Sequence, residues 1–150
     1  MLTEGVVLGH HVSSEGIKVD PMKIEVIINL PSPKTQRGVR SFLGHAGYYR
    51  WFIENFIKIA APMFKLLTKD VDFHWNDHCQ NAFEILKTKL FVAQVLKGPN
   101  WSLPFHISTD ALYIAIGGVL GQKEDQESYV IYFISKNLIL AESNYKVTEK

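Results

Sequence analysis

Residues 104–122 read PFHISTDALYIAIGGVLGQ, a strand-like run rich in glycine and aliphatic residues. Its apolar and β-branched residues predict two strands, over residues 104–110 and 113–122. A third β-type run, YVIYFIS at residues 129–135, follows the polar turn KEDQES. The three runs predict a three-stranded antiparallel sheet, and the first strand carries a single carboxylate, Asp110.

The chain before this sheet is mostly helical in pattern. Asp20 followed by Pro21 is typical of a helix N-cap and first helical position, and predicts a helix through MKIEVIINL at residues 22–30. Helical spacing then covers residues 35–53 and continues over 53–70, where we expect Pro62 to interrupt or restart the helix.

Two further elements complete the pattern. Residues 5–20, GVVLGHHVSSEGIKVD, alternate and contain a Ser-Glu-Gly turn, which predicts a short hairpin. Residues 72–96 predict a helix capped by Asn76 or Asp77. The apolar stripe of that helix is Phe83, Leu86 and Leu90. The predicted fold class is α+β: a hairpin, about three helices, and then a helix with a three-stranded antiparallel sheet.

Charge is distributed unevenly along the chain. The net charge is +1, but residues 31–69 carry seven basic side chains and one acidic, a net +6, whereas the rest carries nine basic and fourteen acidic, a net −5. Such asymmetry is typical of a segment that faces a polyanion, joined to a more acidic segment. A helix surface that is merely solvated is the alternative.

Cysteine usage and hydropathy bear on location. The single cysteine, Cys79, cannot form an internal disulfide, and the first ten residues carry an acid where a signal peptide carries positive charge. The longest apolar runs are far shorter than the roughly 20 residues that span a bilayer. We therefore expect an intracellular protein, cytoplasmic or nuclear, with no membrane partner.

A helical wheel of residues 35–53 separates two faces. The face expected to pack inward contains Val39, Phe42, Leu43, Ala46, Tyr49 and Ile53. The opposite face contains Arg37, Arg40, Ser41, Gly44, Gly47, Tyr48 and Trp51. Arginines for phosphates, flat rings for sugars or bases, and glycines that allow close approach together predict a nucleic-acid-binding surface.

The two glycines on this face have two explanations. Each costs about 1 kcal/mol relative to alanine inside a helix, so their presence needs a reason. Either a partner's backbone approaches the helix closely at Gly44 and Gly47, or a neighbouring helix of the same protein packs there. The sequence leaves both open.

In their order and spacing, these motifs resemble the Pol polyprotein of gypsy-type LTR retrotransposons. Residues 6–70, from VVLGHHVS to KLLTKD, resemble the end of the palm and the thumb of the reverse transcriptase. The motifs FHWNDHCQNAFEILKTKL, PFHISTDALYIAIGGVLGQ, VIYFISKNL and NYKVTEK resemble the start of its RNase H domain. The resemblance implies a palm end with primer-grip hairpin at residues 1–20, a helical thumb at 21–72, and a truncated RNase H-like domain at 73–150.

The resemblance also implies roles for individual residues. Leu8, Gly9 and His10 would belong to the primer grip, which holds the end of the primer strand. The thumb residues that would lie along the minor groove of a template-primer duplex or RNA/DNA hybrid are Arg37, Arg40, Gly44, Gly47, Tyr48 and Trp51. Asp110, in STDA, would be the first RNase H acid, a Mg²⁺ ligand in the intact parent.

The chain also departs from the family pattern. The Tyr-x-Asp-Asp turn of the polymerase does not occur, and Glu149 stands two places before the second RNase H acid, about 200 degrees away on a helix. Smaller departures are Leu112 in place of serine and Gln94 in place of proline. Two-metal cleavage needs ions about 4 Å apart held by several acids. We therefore expect no cofactor and no catalysis from this chain alone.

The leading hypothesis is a fragment of a reverse transcriptase/RNase H that binds template-primer or RNA/DNA hybrid. RNA-directed DNA synthesis and cleavage of the RNA strand would occur only in the full-length parent. One alternative is an inactive retroelement remnant without nucleic-acid binding, at most a protein-interaction module. A second alternative, an autonomous nuclease, would require cleavage of a hybrid by this chain alone.

Overall fold

One three-stranded sheet precedes the helices in the chain, and a second follows them. The computed structural model describes residues 3–111 and 115–138. The elements are β1 (Gly5–Val7), β2 (His10–Ser13), β3 (Gly16–Val19), α1 (Pro21–Ile28), α2 (Gln36–Tyr48), α3 (Phe56–Lys65), α4 (Asp77–Phe91), β4 (Phe105–Ala111), β5 (Ala115–Glu124) and β6 (Glu127–Asn137). The α+β fold class is confirmed. None of the helices in the described ranges is long and apolar enough to cross a membrane.

The N-terminal segment forms three antiparallel strands, β1–β2–β3, where the sequence predicted a two-stranded hairpin. The predicted Ser-Glu-Gly turn joins β2 to β3. A second turn at Leu8 and Gly9 adds β1, and both residues have positive φ, 48° and 74°. Leucine is rare in this region, because its side chain crowds the backbone. Leu8 is therefore not recognisable as a turn residue from the sequence.

The predicted starts of α1 and α4 are confirmed. Asp20 Oδ1 accepts a hydrogen bond from the Met22 amide at 3.0 Å, with Pro21 in the first helical position of α1. Of the two candidates for the α4 cap, Asn76 is the one used, since its Oδ1 accepts from the Cys79 amide at 3.0 Å. These caps satisfy amides that have no partner inside the helix.

Helix α2 is shorter than predicted. It ends at Tyr48, and a 3₁₀ turn over Arg50–Phe52 follows, instead of α-helix to residue 53. The Tyr49 amide bonds to the Ala46 carbonyl three residues back, at 3.1 Å, which tightens the chain at the helix end. Trp51 therefore does not continue the α-helical face on which the wheel placed it.

Helix α3 runs unbroken through Pro62, where an interruption or restart was predicted. The proline removes the bond to the carbonyl of Lys58 and crowds it. Lys58 is exposed, so water can satisfy that carbonyl. The apolar face of the helix is buried on both sides of the proline, at Phe56, Ala60 and Met63, and this burial stabilises the helix through Pro62.

The second sheet has the order β4–β5–β6, with both pairs antiparallel as predicted. The turn between β5 and β6 is only Asp125 and Gln126, both with positive φ, at 48° and 70°. The polar residues on either side, predicted as turn, therefore pair as strand, with Lys123 opposite Ser128 and Glu124 opposite Glu127.

One apolar core joins the helices and reaches the second sheet at Ala115. The rings of Phe42 in α2 and Phe83 in α4 have centroids 4.5 Å apart at its centre. The predicted stripe of α4 is confirmed, because Phe83, Leu86 and Leu90 are all buried. The inward face of α2 predicted from the wheel is buried throughout.

The second sheet caps the first turn of α3. Asn55, the N-cap residue, makes no capping bond with its side chain. Instead, Ser135 in β6 accepts a hydrogen bond from the Ile57 amide through Oγ, at 2.9 Å. The Asn55 side chain lies against Gly117 of β5, where a Cβ would strike its Oδ1. Gly117 pairs with Ser135 on one side and Asp110 on the other, so α3 contacts the row that carries Asp110.

Replacement of Ser135 tests this capping contact. Ser135→Ala is expected to lower the free energy of unfolding by about 1 kcal/mol, because the Ile57 amide loses its acceptor in a part-buried position. Urea titration followed by circular dichroism measures the change. Ser128→Ala, in an exposed position of the same strand, serves as the matched control. Equal stability of the two variants would contradict a capping role for Ser135.

Candidate nucleic-acid interface

The outer face of α2 presents two arginines to solvent. Arg37, Arg40, Ser41 and Gly44 are exposed, whereas Val39, Phe42, Leu43 and Ala46 on the other side are buried. Within residues 3–111 and 115–138, neither arginine forms an ion pair. Both guanidinium groups are therefore available to an anion.

Gly44 lies on this face with nothing packed against it. A Cβ added at Gly44 would meet no atom within 4 Å. No other helix of the described chain therefore packs closely against α2 at Gly44. Gly47 is half-buried, and a Cβ there would make an ordinary contact of 3.8 Å with Phe56 Cζ. Packing inside the described chain thus does not explain Gly44.

The two predicted aromatic residues of this face lie in different surroundings. Tyr48 is 53% exposed at the end of α2. Trp51, 56% exposed, lies in the 3₁₀ turn and lines a groove of about 350 Å³ against β6. Arg50 lines the same groove. We name Arg37, Arg40, Ser41, Gly44, Gly47, Tyr48 and Trp51 the helix track.

The three primer-grip candidates form the tip of the β1–β2 turn, directly beside α2. Leu8 is 82% exposed. The Tyr48 hydroxyl donates to the Leu8 carbonyl at 2.5 Å, and the Tyr49 hydroxyl donates to the Gly9 carbonyl at 3.0 Å. We name Leu8, Gly9 and His10 the hairpin tip. The structure thus brings the tip and the C-terminal end of the track together, although about 40 residues separate them in the sequence.

The ring of His10 fixes the other side of the tip. Its centroid lies 5.3 Å from that of Tyr48, 5.5 Å from Tyr49 and 5.9 Å from Phe52. His10 Nδ1 lies 3.0 Å from the Leu8 carbonyl oxygen. The ring of His10 therefore packs among three aromatic rings, and its Nδ1 contacts the Leu8 carbonyl, so both interactions stabilise the tip.

A groove of about 440 Å³ runs between the hairpin tip, α1 and α2. Gly44 and Leu8 line it, and so do two residues that the sequence did not single out, Lys23 and His45. Both side chains are exposed. No signal in the sequence placed Lys23 here, because the wheel of one helix does not reveal which face of the next helix meets it.

Asp110 lies in edge strand β4, opposite Gly117, and is exposed. In the part of the chain that the structure describes, no group of three or more His, Cys, Asp or Glu side chains could hold a metal ion. Asp110 and its described neighbours therefore do not fit a two-metal site. The predictions at Leu112 and Glu149 lie outside the described residues, as does the NYKVTEK motif.

Comparison with protein families and curated proteins identifies relatives of the chain. Residues 75–150 match the model of the RNase H-like domain found in reverse transcriptase. The retrovirus-related Pol polyproteins from transposons 412 and gypsy of Drosophila melanogaster are 37% and 38% identical over 95% of the chain. The chain spans only 12% and 15% of the length of these two relatives.

Solved structures share the fold. Foamy viral protease-reverse transcriptase in complex with RNA/DNA hybrid superposes with a TM-score of 0.78 over 98% of this chain, at 21% identity. The same viral protein in complex with double-stranded DNA gives 0.79 over 99%, at 20% identity. This chain covers 20% and 31% of those two chains. The helices and both sheets thus have the arrangement found in a reverse transcriptase.

The order of the motifs, the α+β fold and the family match agree, and the chain belongs to the family of RNase H-like domains found in reverse transcriptase, as a relative of the Pol polyproteins of gypsy-type retrotransposons.

Proposed function

We propose that this chain binds a template-primer duplex or an RNA/DNA hybrid through the helix track and the hairpin tip. RNA-directed DNA synthesis and cleavage of the RNA strand belong, in this proposal, to a longer parent protein. The observation that carries the proposal is Gly44. A glycine in an exposed helix interior is costly and here has no neighbour in the described chain, so approach of a partner is the reason for it that remains.

Charge supports the same partner. Arg37 and Arg40 project from the face that contains Gly44, within a segment of net charge +6. Guanidinium groups bind phosphates and release counterions from a nucleic acid, which makes such binding dependent on salt. Lys23 and His45 on the rim of the adjoining groove would extend the basic surface towards the hairpin tip.

The solved relatives of this fold support a duplex as the partner. The foamy viral protein was captured with an RNA/DNA hybrid and with double-stranded DNA. With domain bounds of 1–20, 21–72 and 73–150, the first two segments supply the proposed duplex contacts. The third supplies Asp110, which would bind Mg²⁺ only beside further acids of the parent. An intracellular location, cytoplasmic or nuclear, is part of the same proposal.

A second candidate is an inactive remnant that binds no nucleic acid and acts at most through protein contacts. Exposed apolar side chains on the first sheet and on α1 favour it. These are Val6, Val7, Met22 and Val26, with exposed fractions of 59%, 57%, 75% and 60%. Apolar patches of this kind often bind another protein surface.

Binding to an RNA/DNA hybrid over a salt series separates the two candidates. We expect the affinity of the wild-type chain to fall as the salt concentration rises. In Arg37→Ala or Arg40→Ala, the slope of log affinity against log salt should decrease in magnitude by about 1, because each variant removes roughly one phosphate contact. Fluorescence anisotropy with a labelled hybrid provides the measurement. Lys123→Ala, which removes a charge near the end of β5, is the control. Binding that ignores salt, or arginine variants that match Lys123→Ala, would favour the remnant.

Gly44→Ala tests whether a duplex approaches the helix track closely at Gly44. Because the new Cβ meets open space, the variant is expected to raise the free energy of unfolding by about 1 kcal/mol through helix propensity. The same methyl group would hinder a duplex, so affinity for the hybrid should decrease. Urea titration and anisotropy measure the two effects. Gly98→Ala, also in open space but in a loop, is the control. A stabilised variant with unchanged affinity would show that Gly44 is not a contact point.

Incubation with a labelled hybrid and Mg²⁺ tests the autonomous-nuclease alternative. We expect no cleavage by this chain, since one carboxylate does not hold two metal ions. Asp110→Asn should leave the affinity for the hybrid within about twofold of the wild-type value. Denaturing gel electrophoresis detects the products. Cleavage of the RNA strand that disappears in Asp110→Asn would overturn the expectation.

A further inference from the structure

The hairpin tip is held by two consecutive tyrosines. Both carbonyls of its two-residue turn, at Leu8 and Gly9, accept hydroxyl hydrogen bonds, from Tyr48 and Tyr49 respectively. A third bond, from the Asp20 amide to the Gly9 carbonyl at 3.3 Å, ties the turn to the start of α1. The tip is thus bonded to Tyr48 and Tyr49 at the end of α2 and to the backbone at the start of α1.

Packing alone would not hold the tip in this place. The Leu8 side chain is 82% exposed and contributes little burial, and the turn has positive φ at both residues. Gly9 approaches the helix so closely that a Cβ would stand 3.1 Å from the Tyr49 hydroxyl oxygen. The hydroxyl bonds and the ring contacts of His10 therefore determine where the tip lies relative to α2.

The two tyrosines are suited to this role in different ways. Tyr49 is buried, and the pKa of its hydroxyl is raised, first by burial and then by the nearby Asp20 carboxylate, so the proton that it donates is retained. Tyr48 has a half-exposed ring, but its hydroxyl is directed to Leu8. The ring of Tyr48 can face a duplex while its hydroxyl holds the tip.

We propose that Tyr48 and Tyr49 are positioning residues that fix the hairpin tip against the helix track, so that the end of a primer strand and the adjoining duplex are bound at one set distance. This rests on the proposed function above. It extends that function, because selectivity for a duplex with a recessed 3′ end then depends on two hydroxyl groups that need not touch nucleic acid. Affinity for a continuous duplex, which the track binds alone, does not depend on them.

The experiment compares two probes by fluorescence anisotropy. One is a template-primer duplex with a recessed 3′ end, and the other is a covalently closed duplex of equal length without ends. Wild-type protein is expected to prefer the recessed end. Tyr48→Phe and Tyr49→Phe should each reduce that preference about fivefold, the equivalent of one hydrogen bond. Tyr49→Phe, at a buried position outside the helix track, should leave closed-duplex affinity and salt slope unchanged. Tyr129→Phe, which removes the hydroxyl bond to Gln122 in the second sheet, is the control.

A measurement on the free protein checks the contact itself. Hydrogen exchange of the amides from Val7 to His11 should accelerate in Tyr48→Phe and Tyr49→Phe, while amides of α3 and α4 retain their protection. Tyr48→Ala, which also removes the ring beside His10, should lose at least as much preference as Tyr48→Phe. If only Tyr48→Ala has an effect, the ring and not the hydroxyl positions the tip, and the proposal is wrong.

Each remaining outcome has one meaning. Phenylalanine variants that retain the full preference, or that lose affinity equally for both probes, overturn the positioning role. Wild-type protein that binds both probes equally overturns that role and leaves the proposed function intact. Wild-type protein that binds neither probe overturns the proposed function, and the positioning role with it.

Discussion

Burial of one face of α2 constrains the rest of the molecule. Phe42 packs against Phe83 of α4 at the centre of the core, and Val39, Leu43 and Ala46 are buried beside it. Once these side chains are inside, the 3.6-residue repeat directs Arg37, Arg40 and Gly44 outward. The basic face is thus a geometrical consequence of the core, and a change in the core that rotated α2 would move every arginine of the track.

The end of α2 joins the two halves of the candidate interface. Tyr48, the last residue of α2, and Tyr49, which follows it, donate to the two consecutive carbonyls of the β1–β2 turn. The end of the helix and a turn with positive φ at both residues are therefore joined by two hydrogen bonds.

Features that depend on a few neighbouring residues, such as helix caps and helix faces, could be predicted from the sequence. Asp20 with Pro21, and Asn76 three residues before Cys79, were readable as caps, because a cap is formed within four residues. The arginine face was readable because a helix has a fixed period. Leu8 was missed as a turn residue, since leucine does not favour positive φ and only the strands on either side impose it. The contact of Tyr48 with Leu8 joins distant parts of the chain, and no pattern within one segment encodes it.

The contact between Ser135 and α3 has a consequence for the order in which this protein acquires structure. The residue that completes the first turn of α3 is separated by 78 positions from the amide that it serves. During synthesis, α3 therefore emerges from the ribosome long before its acceptor exists, and its first turn is left to fray until β6 arrives. The first turn of α3 thus gains its cap only when the sheet that bears Asp110 has been made.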